Sequence, residues 1–393
     1  MTVLAAAGAF AAAAWIAVAL HPARPWDLRP RDGDGPPQPE PTHWPALVAL
    51  VPARNEAETL PRTLPALLAQ DYPGEWRVVV VDDRSSDGTG EVVRAIARSH
   101  PQGHRAELVA GRPLPDGWVG KVWALEQAAR RAVELLPATG VLLLTDADIL
   151  HSPCSARRLV AESVSAGLAL TSRMARLRCC SRAERLLIPP FLLFFNLLYP
   201  MRWANRPGRK LAAAAGGCIL LRRDALQAIG GFGSIRGAII DDLALARRVK
   251  GVFGGGTRLA LSDGTVRSIR AYGALPAVWR MVRRSAFAQL RRSWTLLAAT
   301  LALLALVFLA PPVAVAVGLG AAAAGAGSGA WAPPLLAGLA AWLTMAGVAL
   351  PATRFFGLSP AWGLALPLAG SLYGAMTLDS ALRDAPGRRR GWR

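Results

Sequence analysis

Val141-Leu-Leu-Leu-Thr-Asp146-Ala-Asp148 ends an apolar run in two carboxylates separated by one small residue. The run reads as a buried strand. Carboxylates at the carboxyl end of such a strand face the crevice where open α/β sheets bind ligands. Two hard oxygen ligands there suit Mg²⁺ or Mn²⁺ bridging a diphosphate. Taken alone, the pair is better explained by a polar turn after a strand, so its neighbours carry the argument.

Those neighbours recur at strand ends and helix starts. A short apolar run over 46–51 ends in Pro52-Ala53-Arg54-Asn55-Glu56, a nucleotide-site position in α/β folds. A second, over 77–81, ends in Asp82-Asp83, whose carboxylates can accept hydrogen bonds from a base N–H or from ribose hydroxyls. Asp87 then reads equally as the N-cap of the next helix. Lys121 stands near the start of a helix predicted to run to about 136, where it would meet a phosphate or simply be solvated. Gly216-Gly217 precedes a short strand at 219–221 and allows either close backbone approach to a ligand or a tight turn. Asp241-Asp242 sits at a helix start, as a general base or as partners of the helix dipole.

The elements that must hold these residues alternate strand and helix over 46–170, which predicts a mainly parallel α/β sheet. The 393-residue chain leaves room for more than that domain. Its composition is 53% hydrophobic with mean hydropathy +0.30, and the apolar excess lies at the two ends. This predicts a membrane protein with a polar middle. The net charge of +19 is mostly arginine. No nucleic-acid motif or aromatic-interleaved patch accompanies it, so nucleic acid is not expected as a partner. Basic residues beside apolar spans fit an anionic membrane surface better. Cys154, Cys179, Cys180 and Cys218 lack zinc-like spacing and read as reduced filler or core residues.

The chain divides into an N-terminal anchor (1–21), a Pro/Gly/Asp-rich linker (22–45), an α/β domain (46–273), a basic interfacial helix (274–295), C-terminal transmembrane helices (296–380) and a basic tail (381–393). His21, Arg24, Arg29 and Arg31 follow the first apolar stretch, so the anchor is read as uncleaved, with the domain on the cytoplasmic face. The segment 185–199, interrupted by Pro189-Pro190, reads as too short and broken to span and as interfacial. The C-terminal part reads as three spans, at about 296–318, 333–351 and 359–378. That count would put the tail outside, against the positive-inside rule, so a fourth span or a re-entrant segment is expected.

Taken in order, these stretches resemble a family 2 glycosyltransferase. The carriers are Val51-Pro-Ala-Arg-Asn-Glu56, Val81-Asp-Asp-Arg-Ser-Ser-Asp87, Asp146-Ala-Asp148, Gly216-Gly217, Asp241-Asp242 and Gln289-x-x-Arg292. They cover about 46–294; each is weak singly, and the ordered set is strong. Pro351–Pro360, Thr377-Leu-Asp-Ser-Ala-Leu382 and the basic tail look like the hopene-associated glycosyltransferases of bacterial hopanoid gene clusters. The resemblance implies a GT-A fold, a nucleotide-sugar donor of the UDP-sugar kind, and a membrane-lipid acceptor in the bacterial inner membrane. It implies that Pro52, Ala53, Glu56, Asp82 and Asp83 line the nucleoside site, and that Asp148, helped by Asp146, holds Mg²⁺ or Mn²⁺. Asp242, beside Asp241, matches the catalytic base. Gly216, Gly217, Gln289, Arg292 and Trp294 fall on the acceptor and diphosphate side. One residue separates Arg292 from Trp294 where the family has none, which would turn Trp294 by about 100° on a helix. A polyprenyl-phosphate or ceramide-type transferase, and a transporter or scaffold with a degenerate nucleotide domain, are the alternatives.

Overall fold

A computed structural model describes residues 1–32, 34, 38–135, 137 and 139–384. The basic tail beyond 384, with Arg388, Arg389, Arg390 and Arg393, lies outside the described residues. The described chain separates into two compact units. One comprises Arg29–Arg178 and Met201–Ala271; the other comprises Met1–Leu28, Cys179–Pro200 and the described chain from Tyr272 onward.

The first unit is built, among the described residues, on nine strands. These are β1 (Leu47–Ala53), β2 (Trp76–Asp82), β3 (Ala106–Ala110), β4 (Val141–Thr145), β5 (Ile149–His151), β6 (Leu170–Met174), β7 (Cys218–Arg222), β8 (Thr257–Leu261) and β9 (Val266–Ser268). Seven form one sheet in the order β3-β2-β1-β4-β7-β6-β8, and β5 pairs with β9. Every residue of β1 is buried, as expected for a central strand covered on both faces. Val48, Leu50, Val79 and Val81 pack into one layer, and Leu47, Ala49, Val51, Val78 and Val80 into the other. Each large apolar side chain among these contributes about 1.5–3 kcal/mol through burial.

The sheet is mixed, and its reversed strand matters for the site. β1, β2, β3 and β4 run parallel, as do β6 and β8. β7 runs antiparallel between β4 and β6. Its first residue, Cys218, faces Thr145, the last residue of β4. The glycines before β7 are thereby delivered to the sheet edge where the parallel strands end.

Part of the predicted linker is fixed to this unit. Arg31 bridges to Leu261, and Arg173 is held between Asp32 and Glu162 in buried ion pairs. Asp87 departs from its expected role. Gly88 is the N-cap of the Thr89–Ser99 helix, and the Asp87 carboxylate accepts from Ala57 N–H at 3.0 Å and Thr89 N–H at 3.1 Å. Asp87 therefore ties the loop after β1 to the helix after β2.

The second unit is helical. Five helical stretches of the described chain are long and apolar enough to cross a membrane: Thr2–Leu20, Arg182–Ala204, Trp294–Ala323, Ser328–Phe355 and Pro360–Leu382. The C-terminal three overlap the ranges 296–318, 333–351 and 359–378, and no fourth helix of that length and hydropathy occurs there among the described residues. Val3, Leu20, Leu336 and Leu343 are each more than 60% exposed, which fits faces turned to lipid. Two expectations are corrected. The Arg182–Leu198 helix runs unbroken through Pro189-Pro190, started by a Ser181/Glu184 capping box. The basic segment is two helices, Leu275–Arg283 and Ala286–Gln289, followed by Arg291 and Arg292 with φ of 54° and 56°. A left-handed pair of arginines separates these helices from Trp294, so the helical rotation expected for Trp294 does not apply.

Candidate active site

Three parallel strands and one antiparallel strand converge to build the site. β1 and β2 end in register at Ala53 and Asp82, and Leu50 of β1 pairs with Leu144 just before Asp146. The loops leaving β1 and β2 are tight: Asn55 and Arg84 have φ of 55° and 59°. Backbone strain of this kind concentrates at ligand sites. Asn55 locks the two loops together, its N–H donating to Ser85 Oγ at 2.9 Å and its Oδ1 accepting from Ser86 N–H at 2.9 Å.

On this floor the predicted nucleoside residues come together. Pro52 and Ala53 close β1 and are buried. Asp82 ends β2 and accepts from Ser85 N–H at 2.9 Å. Asp83 is buried, donates its N–H to Ala53 O at 2.8 Å and faces Arg54 at 3.4 Å. Glu56 receives the Thr59 hydroxyl on its carboxylate, and its N–H donates to Thr89 Oγ1 at 2.9 Å.

The two acidic pairs meet at Lys121. Its Nζ lies 2.7 Å from Asp146 Oδ1 and 3.5 Å from Asp241 Oδ2, with the side chain 20% exposed. Burial works against the ammonium, but Asp146 and Asp241 more than offset it and raise its pKa. Lys121 is thus a clamp between carboxylates. Asp242 Oδ2 accepts from Gly216 N–H at 2.9 Å. Burial, then the charge of Asp241, pushes the Asp242 carboxyl up to about 6, with Lys121 opposing. A Cβ on Gly216 would stand 3.0 Å from Lys121 Nζ and 3.4 Å from Asp242 Oδ2, so the glycine lets the three groups close up. Gly217 O accepts from Thr145 Oγ1 at 3.0 Å, which fixes the turn to the end of β4.

Asp148 is held from the β5–β9 side. Its Oδ2 accepts from Ser268 Oγ at 2.9 Å and from Arg270 Nε at 3.0 Å. Arg270 Nη2 also donates to Glu56 Oε1 at 2.6 Å. Sequence reasoning missed Ser268 and Arg270. A serine and an arginine in a short, Arg-rich stretch carry no spacing signal, and only the Ile149↔Ser268 pairing brings them to Asp148.

The donor set bears on the implied divalent ion. Asp146 and Asp148 are hard oxygen ligands of the right kind. Among the described residues no cluster of three or more His, Cys, Asp or Glu forms a complete cage. That composition fits an ion that keeps waters and phosphate oxygens as its remaining ligands, as Mg²⁺ does. The carboxylates of Asp146, Asp148, Asp241 and Asp242 outnumber the cations Lys121 and Arg270 that face them, leaving negative charge for such an ion to offset.

Gln289, Arg292 and Trp294 belong to the helical unit. Gln289 Nε2 donates to Tyr199 Oη, Arg292 Nε pairs with Asp384 at 2.8 Å, and Trp294 is 57% exposed against Phe287. The Thr377-Leu-Asp-Ser-Ala-Leu382 stretch has a supporting task. Asp379 accepts from Trp279 Nε1 at 2.8 Å, and Ser380 Oγ donates to Arg283 O and accepts from Phe287 N–H. It therefore anchors the basic segment to the last helix. None of the four cysteines is in a disulfide among the described residues; Cys218 is buried and Cys180 is exposed.

Residues 48–230 match the family model described as Glycosyl transferase family 2. An N-acetylglucosaminyltransferase of Mesorhizobium japonicum is 30% identical over 210 residues, covering 52% of this chain and 45% of that protein. An undecaprenyl-phosphate mannosyltransferase of Micrococcus luteus is 34% identical over 132 residues, 32% of this chain and 48% of that one. The chain spans about half the length of these curated relatives. Among solved structures, the mannosyltransferase PcManGT of Pyrobaculum calidifontis, in complex with GDP-Man and Mn²⁺, aligns over 97% of this chain and 98% of its own, with TM-score 0.54 and 20% identity. The architecture is that of the GT-A fold, with long apolar helices at both ends of the chain.

Proposed function

We infer that this chain, whose residues 48–230 match the glycosyltransferase family 2 model, moves one sugar from a nucleoside-diphosphate sugar to a membrane lipid. The observation that carries the reading is the meeting of two acidic pairs at Lys121, with Asp146 at 2.7 Å and Asp241 at 3.5 Å. Each pair brings a second carboxylate. Asp148 stands on the side of the strand-end loops, and Asp242 stands in the first turn of the helix Asp241–Phe253.

In this reading Pro52, Ala53, Glu56, Asp82 and Asp83 hold the nucleoside of a UDP-sugar. Asp82 and Asp83 accept hydrogen bonds from base and ribose. Asp148, with Asp146, would hold Mg²⁺ or Mn²⁺, which supplies a Lewis acid for the departing diphosphate. Asp242 takes the proton of the acceptor hydroxyl. The acceptor oxygen bonds to the anomeric carbon as the bond from that carbon to the diphosphate oxygen breaks, with inversion. A positioned base is worth on the order of 10²–10⁴-fold. Lys121 holds Asp146 and Asp241 in place, and the Gly216 N–H orients the base. Gln289, Arg292 and Trp294 are proposed for the acceptor and diphosphate side on the family resemblance.

The apolar helices support a membrane location, and the basic residues after the first of them support a cytoplasmic domain. The resemblance carried by the stretch 377–382 supports a hopanoid-type acceptor. The Micrococcus relative favours a second reading, a polyprenyl phosphate. Calorimetry tests the donor side: Asp148→Asn is expected to lose Mg²⁺- or Mn²⁺-dependent UDP binding while the domain stays folded. Unchanged binding would place the metal elsewhere.

A further inference from the structure

Arg270 joins the two ends of the proposed donor site. It lies on Asp148 at 3.0 Å and on Glu56 at 2.6 Å. The main chain delivers it there: Ile269 N–H donates to Asp148 O at 3.0 Å, and Arg270 N–H to Ser268 Oγ at 3.3 Å. Its side chain is 43% exposed, so the guanidinium can leave both carboxylates without opening the packed core.

We propose that Arg270 is a positioning residue that competes with the divalent cation for Asp148, so that cation and nucleoside diphosphate enter the site together. The proposal rests on the reading of Asp148 as the cation's ligand. A carboxylate oxygen that already accepts from a guanidinium and a hydroxyl has much of its charge compensated. A bare divalent ion must displace the guanidinium or sit beside it and be repelled. A diphosphate changes that balance, since it brings negative charge and offers the released arginine fork a bidentate partner. The coupling is reciprocal: the nucleotide raises the affinity for the cation by the same factor as the cation raises the affinity for the nucleotide. Glu56 serves as the resting place that keeps the fork at the site.

The test is Mn²⁺ binding by the full chain in detergent, read by electron paramagnetic resonance of the free ion, with and without UDP or GDP. Arg270→Gln is expected to bind Mn²⁺ alone about tenfold more tightly than the natural chain and to gain less from nucleotide. Arg270→Lys, which keeps the charge, stays within a few-fold of the natural chain. Arg270→Met, similar in stem length, repeats the test should the glutamine variant melt early. Adding Asp148→Asn to Arg270→Gln abolishes the binding. If Arg270→Gln and Arg270→Met bind bare Mn²⁺ no more tightly, with binding still lost in Asp148→Asn, the competition is overturned and the metal reading stands. Binding that is absent throughout, or that ignores Asp148, overturns the metal reading and this proposal with it.

Discussion

Asp242 owes its place to Gly216 and its protonation to its neighbours. With the carboxyl pushed up to about 6, mainly by burial and then by Asp241, the proposed base is charged only above that pH. Transfer is therefore expected to rise with pH through about 6 and then level off. Lys121 opposes the upward shift, so Lys121→Met should move that rise to higher pH. A profile that stays in place, measured as kcat/KM against pH, would separate Lys121 from the base. Both acidic pairs were legible in the sequence, because acids at a strand end and a helix start are local features. Lys121 was ambiguous there between phosphate partner and solvated side chain. The clamp depends on Asp146 and Asp241, which lie far apart along the chain and meet only in the fold.

Among the elements, the end of β4 is held by a buried network. His151 on β5 contacts Thr145 Oγ1 at 2.8 Å and Ser155 Oγ at 3.0 Å, and Ser155 donates to Gln70 Oε1 at 2.9 Å. Thr145 spends its hydroxyl proton on Gly217 O and Ser155 spends its own on Gln70 Oε1, so a neutral ring donates to one of the two hydroxyls. Burial pushes its pKa down to about 4, from 6.5. The unfolded chain then binds more protons between those values. Stability from this group is full above the ordinary histidine value and falls as pH drops towards the lowered one, by up to about 3 kcal/mol. Thermal melts should show that loss, and His151→Gln should flatten it; an equal pH slope in the variant would show that another group titrates. Periodicity predicted β1, β2 and β4 well because fully buried strands are continuous apolar runs. It predicted the basic segment poorly. Helical spacing through 274–294 gave no warning that Arg291 and Arg292 adopt left-handed backbone.

Taken whole, the chain interleaves its two units. It leaves the sheet unit at Arg178 and returns at Met201, so both flanks of the Arg182–Ala204 stretch belong to one compact body. A single crossing there would split that body between two sides of a membrane, so this stretch is read as entering without a net crossing. The sequence also read 185–199 as not spanning, but on the strength of a break at Pro189-Pro190 that the helix does not have. Ser99 is exposed at the end of the Thr89–Ser99 helix. With the native cysteines replaced, Ser99→Cys should be shielded from a membrane-impermeant thiol reagent in intact cells and labelled after lysis. Labelling from outside would contradict a cytoplasmic domain.

The proposed reaction stands on Asp242 removing the acceptor proton as a sugar passes to lipid. Membranes carrying the full chain, given labelled nucleotide sugar and extracted lipid, are expected to pass label into the organic phase. Asp242→Asn should lower that turnover by on the order of 10²-fold or more, with nucleotide-sugar affinity within a few-fold. If the two acids served only the helix dipole, an effect of about 0.3–1 kcal/mol each, Asp242→Asn would melt slightly earlier and turn over like the natural chain. That result would take the base away from Asp242.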